Sequence, residues 1–90
     1  MDYTFNDASG NSYLIEAAKK TTKEKLLAEY ISLRKAKKLS QEDIATLTGI
    51  ARPNVSRIEN GKYNPTLEIL TKLAFALNMK LEIHFVEKEG

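Results

Sequence analysis

Between Thr21 and Asn78 the apolar residues recur at helical spacing, and a few polar or glycine positions cut the run into four pieces. Thr21 followed by Glu24 has the capping-box form, and residues 22–37 contain no Gly or Pro, so they are expected as a first helix. Leu26, Tyr30 and Leu33 define its buried stripe, widened by Leu27 and Ile31. Ser40 with Asp43 repeats the capping form ahead of QEDIATLT, residues 41–48, with Ile44, Ala45 and Leu47 or Thr48 turned inward. Gly49 would cost about 1 kcal/mol relative to Ala inside a continuing helix. It reads instead as a stop, after which the chain turns sharply and Ile50 fills the corner. RPNVSRIEN, residues 52–60, becomes a third helix in which Pro53 is acceptable because it falls in the first turn. Val55 and Ile58 then point inward, and Arg52, Asn54, Ser56 and Arg57 outward. Asn60-Gly61 ends this helix, and Thr66 caps a fourth over residues 66–78, with Leu67, Leu70, Leu73, Ala74 and Leu77 inward and Asn78 as a left-handed terminator.

The two ends read differently. Leu81, Ile83 and Phe85 alternate with Glu82 and His84, which predicts a short strand. A lone strand needs a ladder partner, and DYTF (residues 2–5), SYLI (residues 12–15) or the same strand of a second subunit are the candidates. DASGNS is turn-rich, and SYLIEAAKK fits either a short helix from Ser12 or a strand through Tyr13 to Ile15. The fold class is therefore mainly all-α: a small bundle of four to five helices with one short C-terminal strand. Residues 1–21 form an N-terminal extension, 22–79 the helical domain, and 80–90 a dimerisation strand.

Composition narrows the chemistry. Ninety residues, 42% of them apolar, suit one domain with a modest core, a size at which a dimer partner adds useful burial. There is no cysteine, and His84 is the single histidine, so no disulfide, metal site or cofactor is expected. The chain shows no nucleophile beside a base and no phosphate-cradling glycine loop, which argues against an enzyme and against a small-molecule ligand. No apolar run approaches the roughly 20 residues of a membrane span, and the N-terminus lacks a signal-peptide layout, so a soluble cytoplasmic protein is expected. The net charge is only +2, but residues 1–20, 21–65 and 66–90 carry −1, +4 and −1. The positive charge sits in the middle, where it would face a polyanion.

Two short helices joined by a tight glycine turn, the second with a polar, basic outer face, make the layout of a helix-turn-helix DNA reader. The major groove admits one helix, and Gly49 lets the third helix project at the angle that entry requires. Residues 39–78, LSQEDIATLTGIARPNVSRIENGKYNPTLEILTKLAFALN, resemble the Cro/phage-repressor (XRE) helix-turn-helix family in the Leu-Ser-Gln opening, the Gly turn, Ile-Glu-Asn-Gly and Asn-Pro-Thr. The likeness runs from about Leu26 to Met79. It departs at Ala51, where the family usually has a Ser or Thr helix cap. The resemblance implies that Gln41 contacts a phosphate and braces the third helix. It implies base contacts by Arg52, Asn54 and Arg57, with Ala51 and Pro53 placed for thymine methyl groups, and a structural ion pair between Arg34 and Glu59. Asn60, Lys62, Tyr63 and Asn64 would hold phosphate, with Lys38 adding attraction before the second helix.

Such readers usually work as homodimers on palindromic double-stranded operators, with Leu81, Ile83 and Phe85 as the dimerisation residues. The LNMKLEIHF ending, residues 77–85, and the small size resemble HigA- and HipB-type antitoxins. That likeness implies an autoregulating repressor that also neutralises a protein toxin, contacted through Tyr13, Leu14, Ile15, Leu27 and Ile31, with Tyr3 and Phe5 nearby in sequence. A stand-alone repressor without a toxin is the alternative.

Overall fold

No glycine or proline occurs between Asn11 and Ala36, and the computed structural model, which describes residues 11–88, carries one helix through that stretch. This is α1 (Asn11–Ala36), followed by α2 (Gln41–Thr48), α3 (Arg52–Glu59) and α4 (Leu67–Ala76). The helix expected from residue 22 thus begins at Asn11, and the boundary between an N-terminal extension and the domain falls inside it. The Thr21 capping box is not formed: the Thr21 hydroxyl donates to the Ala17 carbonyl, 3.1 Å away, as a mid-helix residue does. Ala17, Ala18, Lys19 and Lys20 are good helix formers, and ion pairs Lys19–Glu16 (3.5 Å) and Lys20–Glu24 (4.0 Å) span successive turns. DYTF, Tyr3 and Phe5 lie outside the described residues.

The core draws on all four helices. Leu27 and Tyr30 of α1, Ile44 of α2, Val55 and Ile58 of α3, and Leu73 and Leu77 at the end of α4 are buried together, with Ile31, Leu33, Leu39, Ile50 and Ile69 packed around them. α2 packs against both α3 and α4, and α1 against α3. The buried stripe of α1 runs through Leu27, Tyr30 and Arg34: Tyr30 is buried as expected, Leu27 moves from the flank to the centre, and Leu26 and Leu33 are half-buried. Leu27 is only 4% exposed, so it is a core residue and offers no surface to a second protein. Leu47 (55% exposed) and Leu67 (64%) face outward, and Thr48 and Ile69 take the inner positions. Residues 79–88 form no strand in the described chain, which places no ladder partner beside them.

One polar cluster is embedded in this apolar packing. Arg34 donates from Nε to Glu59 Oε2 at 2.9 Å and from Nη2 to Oε1 at 2.8 Å, a bidentate pair across α1 and α3. Its Nη1 donates to the Leu39 carbonyl at 2.8 Å, the Tyr30 hydroxyl to Glu59 Oε2 at 3.0 Å, and the Gln41 amide to Oε1 at 3.1 Å. Burial, followed by the charge of Glu59, pushes the Tyr30 phenol above its ordinary range, so it remains a donor. The expected Arg34–Glu59 ion pair is thus present, enlarged by three further partners.

The turns follow side-chain and backbone chemistry at each helix end. Ser40 accepts from the Asp43 N–H at 3.0 Å, and Asp43 Oδ2 accepts from the Ser40 N–H at 2.8 Å, closing the expected capping box. That backbone hydrogen bond holds the exposed Asp43 carboxyl below its usual range. Gly49 takes φ 77°, the left-handed conformation that turns the chain between α2 and α3. α1 and α4 end on left-handed residues as well, Lys38 (φ 59°) and Asn78 (φ 57°). At those ends Leu39 N–H bonds Arg34 O (3.1 Å) and Met79 N–H bonds Ala74 O (2.9 Å), the long bond of a Schellman closure. Thr66 caps α4 through the Ile69 N–H at 3.2 Å. Ala51 provides no side-chain cap for α3. The loss is limited, because Pro53 has no N–H and Asn54 N–H bonds the Ala51 carbonyl at 2.8 Å.

The cluster sets a prediction. Glu59→Gln removes the charge that balances a buried guanidinium and should lower the unfolding free energy by roughly 3–5 kcal/mol, measured by urea denaturation. Arg34→Met combined with Glu59→Leu should recover much of that loss. A Glu59→Gln change below about 1 kcal/mol, the range of exposed pairs, would show that the pair is not effectively buried.

Candidate nucleic-acid interface

α3 is eight residues long and rises about 12 Å. Val55 and Ile58 are fully buried beneath it, and that anchoring leaves Arg52, Pro53, Asn54 and Arg57 exposed on the outer side. Ala51, at the turn into the helix, is exposed beside them. The five residues expected to read bases are all exposed around the outer side of α3 and its entry turn.

Two exposed polar contacts involve these side chains. Arg57 Nη1 lies 3.5 Å from Asn54 Oδ1, one helical turn apart, so the Asn carbonyl is turned toward the guanidinium and the Asn amide hydrogens point elsewhere. Arg52 Nε lies 3.7 Å from Glu42 Oε2 across the glycine turn, an exposed pair that solvent screens strongly. Arg brings two donors suited to guanine O6 and N7, and Asn an acceptor and a donor suited to adenine N6 and N7.

Flanking residues surround this face. Gln41, at the start of α2, directs its amide to Glu59, so it braces the end of α3 as expected. Lys38 occupies the left-handed turn before α2, exposed, with its backbone N–H bonded to Lys35 O at 2.9 Å. Beyond α3, Asn60 is the exposed C-cap, and Gly61 at φ 75° turns the chain into Lys62, Tyr63 and Asn64, all exposed. Among the described residues no three His, Cys, Asp or Glu side chains are grouped to hold a metal ion, and no helix is long and apolar enough to cross a membrane.

Sequence reasoning missed Lys23 here. Its ammonium reaches across from α1 to donate to the Gly61 carbonyl at 3.1 Å and to Asn64 Oδ1 at 3.0 Å. A signal was available: Lys23 precedes Leu27, Tyr30 and Arg34 at spacings of four, three and four, on the stripe of α1 that faces α3. A polar residue on such a stripe has to find a partner.

The residues expected to meet another protein divide. Tyr13, Leu14 and Ile15 are exposed on the outer turns of α1, where every described side chain from Ser12 to Thr22 is exposed. Ile31 is half-buried against the core, and Leu27 is inside it. Ile15, Ala18 and Thr22 continue along α1 to Leu26 and, with Asn64, Pro65 and Leu70, line an open groove of about 570 Å³. At the other end, Leu81 is half-buried, and Ile83, Phe85 and Val86 are exposed.

Known proteins are similar to this chain in sequence. A family model described as Helix-turn-helix matches residues 31–83. A protein of Haemophilus influenzae named as an uncharacterized HTH-type transcriptional regulator is 41% identical over 58 residues, 64% of this chain and 59% of its own length. A similarly named protein of Methanocaldococcus jannaschii is 37% identical over 57% of this chain and 77% of its own. The ImmF control region 10 kDa protein of Bacillus phage phi105 is 38% identical over 63% of this chain and 70% of its own. This chain thus spans under two thirds of the Haemophilus protein, and no solved structure matches it. The match covers all of α2, α3 and α4 together with the Arg34 end of α1, and on that ground the chain belongs to the XRE-type helix-turn-helix family.

Proposed function

We propose that the chain is a sequence-specific repressor that binds a palindromic double-stranded operator as a homodimer. α3 lies in the major groove in this reading, and the single observation that carries it is the exposed row Arg52, Asn54 and Arg57 above the fully buried Val55 and Ile58. Arg57 and Asn54 read base edges together, Arg52 exchanges Glu42 for DNA, and Ala51 and Pro53 meet thymine methyl groups. Gln41, Lys38, Asn60, Lys62, Tyr63 and Asn64 meet phosphates on either side of the groove. The dimer forms through residues 80–88: Leu81, Ile83 and Phe85 alternate with polar neighbours, and the backbone there has no ladder partner within the described chain. Two half-sites about 34–36 Å apart would match its two-fold symmetry.

A finer reading makes this repressor the antitoxin of a toxin-antitoxin pair. Its support is the outer part of α1, where Tyr13, Leu14 and Ile15 stand free of the core. Exposed aromatic and aliphatic side chains on a projecting helix are what an apolar protein groove takes up. Leu27 is no longer among the contacts, and Ile31 contributes at most an edge.

Three measurements test these assignments. Arg57→Ala should weaken operator binding far more than binding to random DNA, whereas Lys62→Ala should weaken both and lower the salt slope by about 1. Equal losses on both DNAs for Arg57→Ala remove it from the base-reading set. Deletion of residues 80–90 should convert a dimer to a monomer by light scattering, and an unchanged mass rejects that interface. Expression of the adjacent small open reading frame should arrest growth, with relief on co-expression of this chain but not of a Leu14→Glu variant that still binds operator. No arrest leaves a stand-alone repressor.

A further inference from the structure

We infer that Lys23 is a positioning residue for the DNA-binding loop that follows α3. The inference rests on the DNA-binding reading above and adds a residue of α1 to it. Residues 61–64 leave α3 through the left-handed Gly61, with Lys62 N–H bonded to Arg57 O at 3.1 Å. Among the described residues, the side-chain hydrogen bonds that reach this loop are the two from Lys23, to Gly61 O and to Asn64 Oδ1. The ammonium therefore ties both ends of the loop to α1 at once. The two contacts lie 38 and 41 residues away in sequence, so they fix the loop against a separate element and not merely against its own helix.

The bond to Asn64 has a chemical consequence. An Asn side chain carries one acceptor end and one donor end. With Oδ1 held by a cation, the amide hydrogens are directed away from α1, and Lys62 and Tyr63 stand exposed beside them. Only the donor end suits a phosphate oxygen, which has no hydrogen to give. Lys23 thus selects the orientation of Asn64 that an anionic backbone requires, and it does so before DNA arrives. Two of the three ammonium hydrogens are used in this way, which makes Lys23 a scaffold for phosphate contacts made by other residues.

The distinction between scaffold and contact is measurable. Lys23→Met keeps the aliphatic stem and removes the donors; operator affinity should fall about tenfold, with the salt slope unchanged because no phosphate contact of its own is lost. Lys23→Arg should restore most of the affinity. In a double-mutant cycle the Lys23→Met loss should largely disappear in an Asn64→Ala background. Thermal unfolding of each variant, read by circular dichroism, identifies those that fold as the wild type does, and the cycle is scored on these. A slope reduced by about 1 makes Lys23 a direct phosphate contact and overturns the inference. Additive losses, or unchanged affinity with Lys23→Met, overturn it as well while leaving the DNA-binding reading intact. A wild-type chain that binds no DNA overturns both.

Discussion

The orientation of α3 depends on the carboxylate of Glu59. A buried ion pair pays a desolvation cost that its own attraction only partly offsets, and here the balance is improved by using every available partner. Each Glu59 oxygen accepts two hydrogen bonds: Oε1 from Arg34 and Gln41, Oε2 from Arg34 and Tyr30. Among the described residues no buried side-chain nitrogen or oxygen lacks a partner. Apolar packing restricts the crossing angles of the four helices to a small set. Between α1 and α3 the bidentate fork adds a directional constraint, because its two bonds lie in one plane and tolerate little rotation.

That directional constraint matters because α3 has only two turns. A helix of eight residues is far below the length at which isolated helices hold in water. It is kept by its surroundings: Glu59 pins its last turn, Val55 and Ile58 fill the core below it, and the Gly49-Ile50 corner sets its entry. Thr48 contributes at that corner, donating to Ile44 O at 2.7 Å and accepting from Ile50 N–H at 3.1 Å. Side chains on such a helix project from fixed backbone positions, so less ordering remains to be done when a partner binds.

Much of this was legible in the sequence because it is written in local chemistry. Ser40 with Asp43, Thr66, Gly49 and Asn78 each stop or start a helix through bonds a few residues long, and each does so in the structure. Thr21 with Glu24 has the same form and does nothing of the kind, since a cap requires a non-helical residue and Ala17 to Lys20 continue the helix through it. The buried stripe of α1 kept Tyr30 but exchanged Leu26 and Leu33 for Leu27 and Arg34, for a different reason. Its true members, Leu27, Tyr30 and Arg34, include a charged residue whose partner lies 25 positions away, and hydrophobic spacing favours Leu26 and Leu33 instead. Leu47 and Leu67 show the limit of short helices, where apolar residues occur on more than one side. The exposed row of α3 was readable from Val55 and Ile58 beneath it, whereas the spacing of Lys23 on the α1 stripe signals only that it needs a partner, and the partners themselves lie 38 and 41 positions away.

The outer turns of α1 lie beyond the reach of that network. From Ser12 to Thr22 every described side chain is exposed, so this part of the helix is maintained by propensity, exposed charge pairs and continuity with the packed turns behind it. Local helix formation near this length is close to balanced against coil in water. Its backbone amides should accordingly exchange hydrogen well before those around Tyr30, with protection rising along a single unbroken helix. One helix thus spans two regimes of cooperativity: its inner turns melt with the whole domain, and its outer turns fray independently of it.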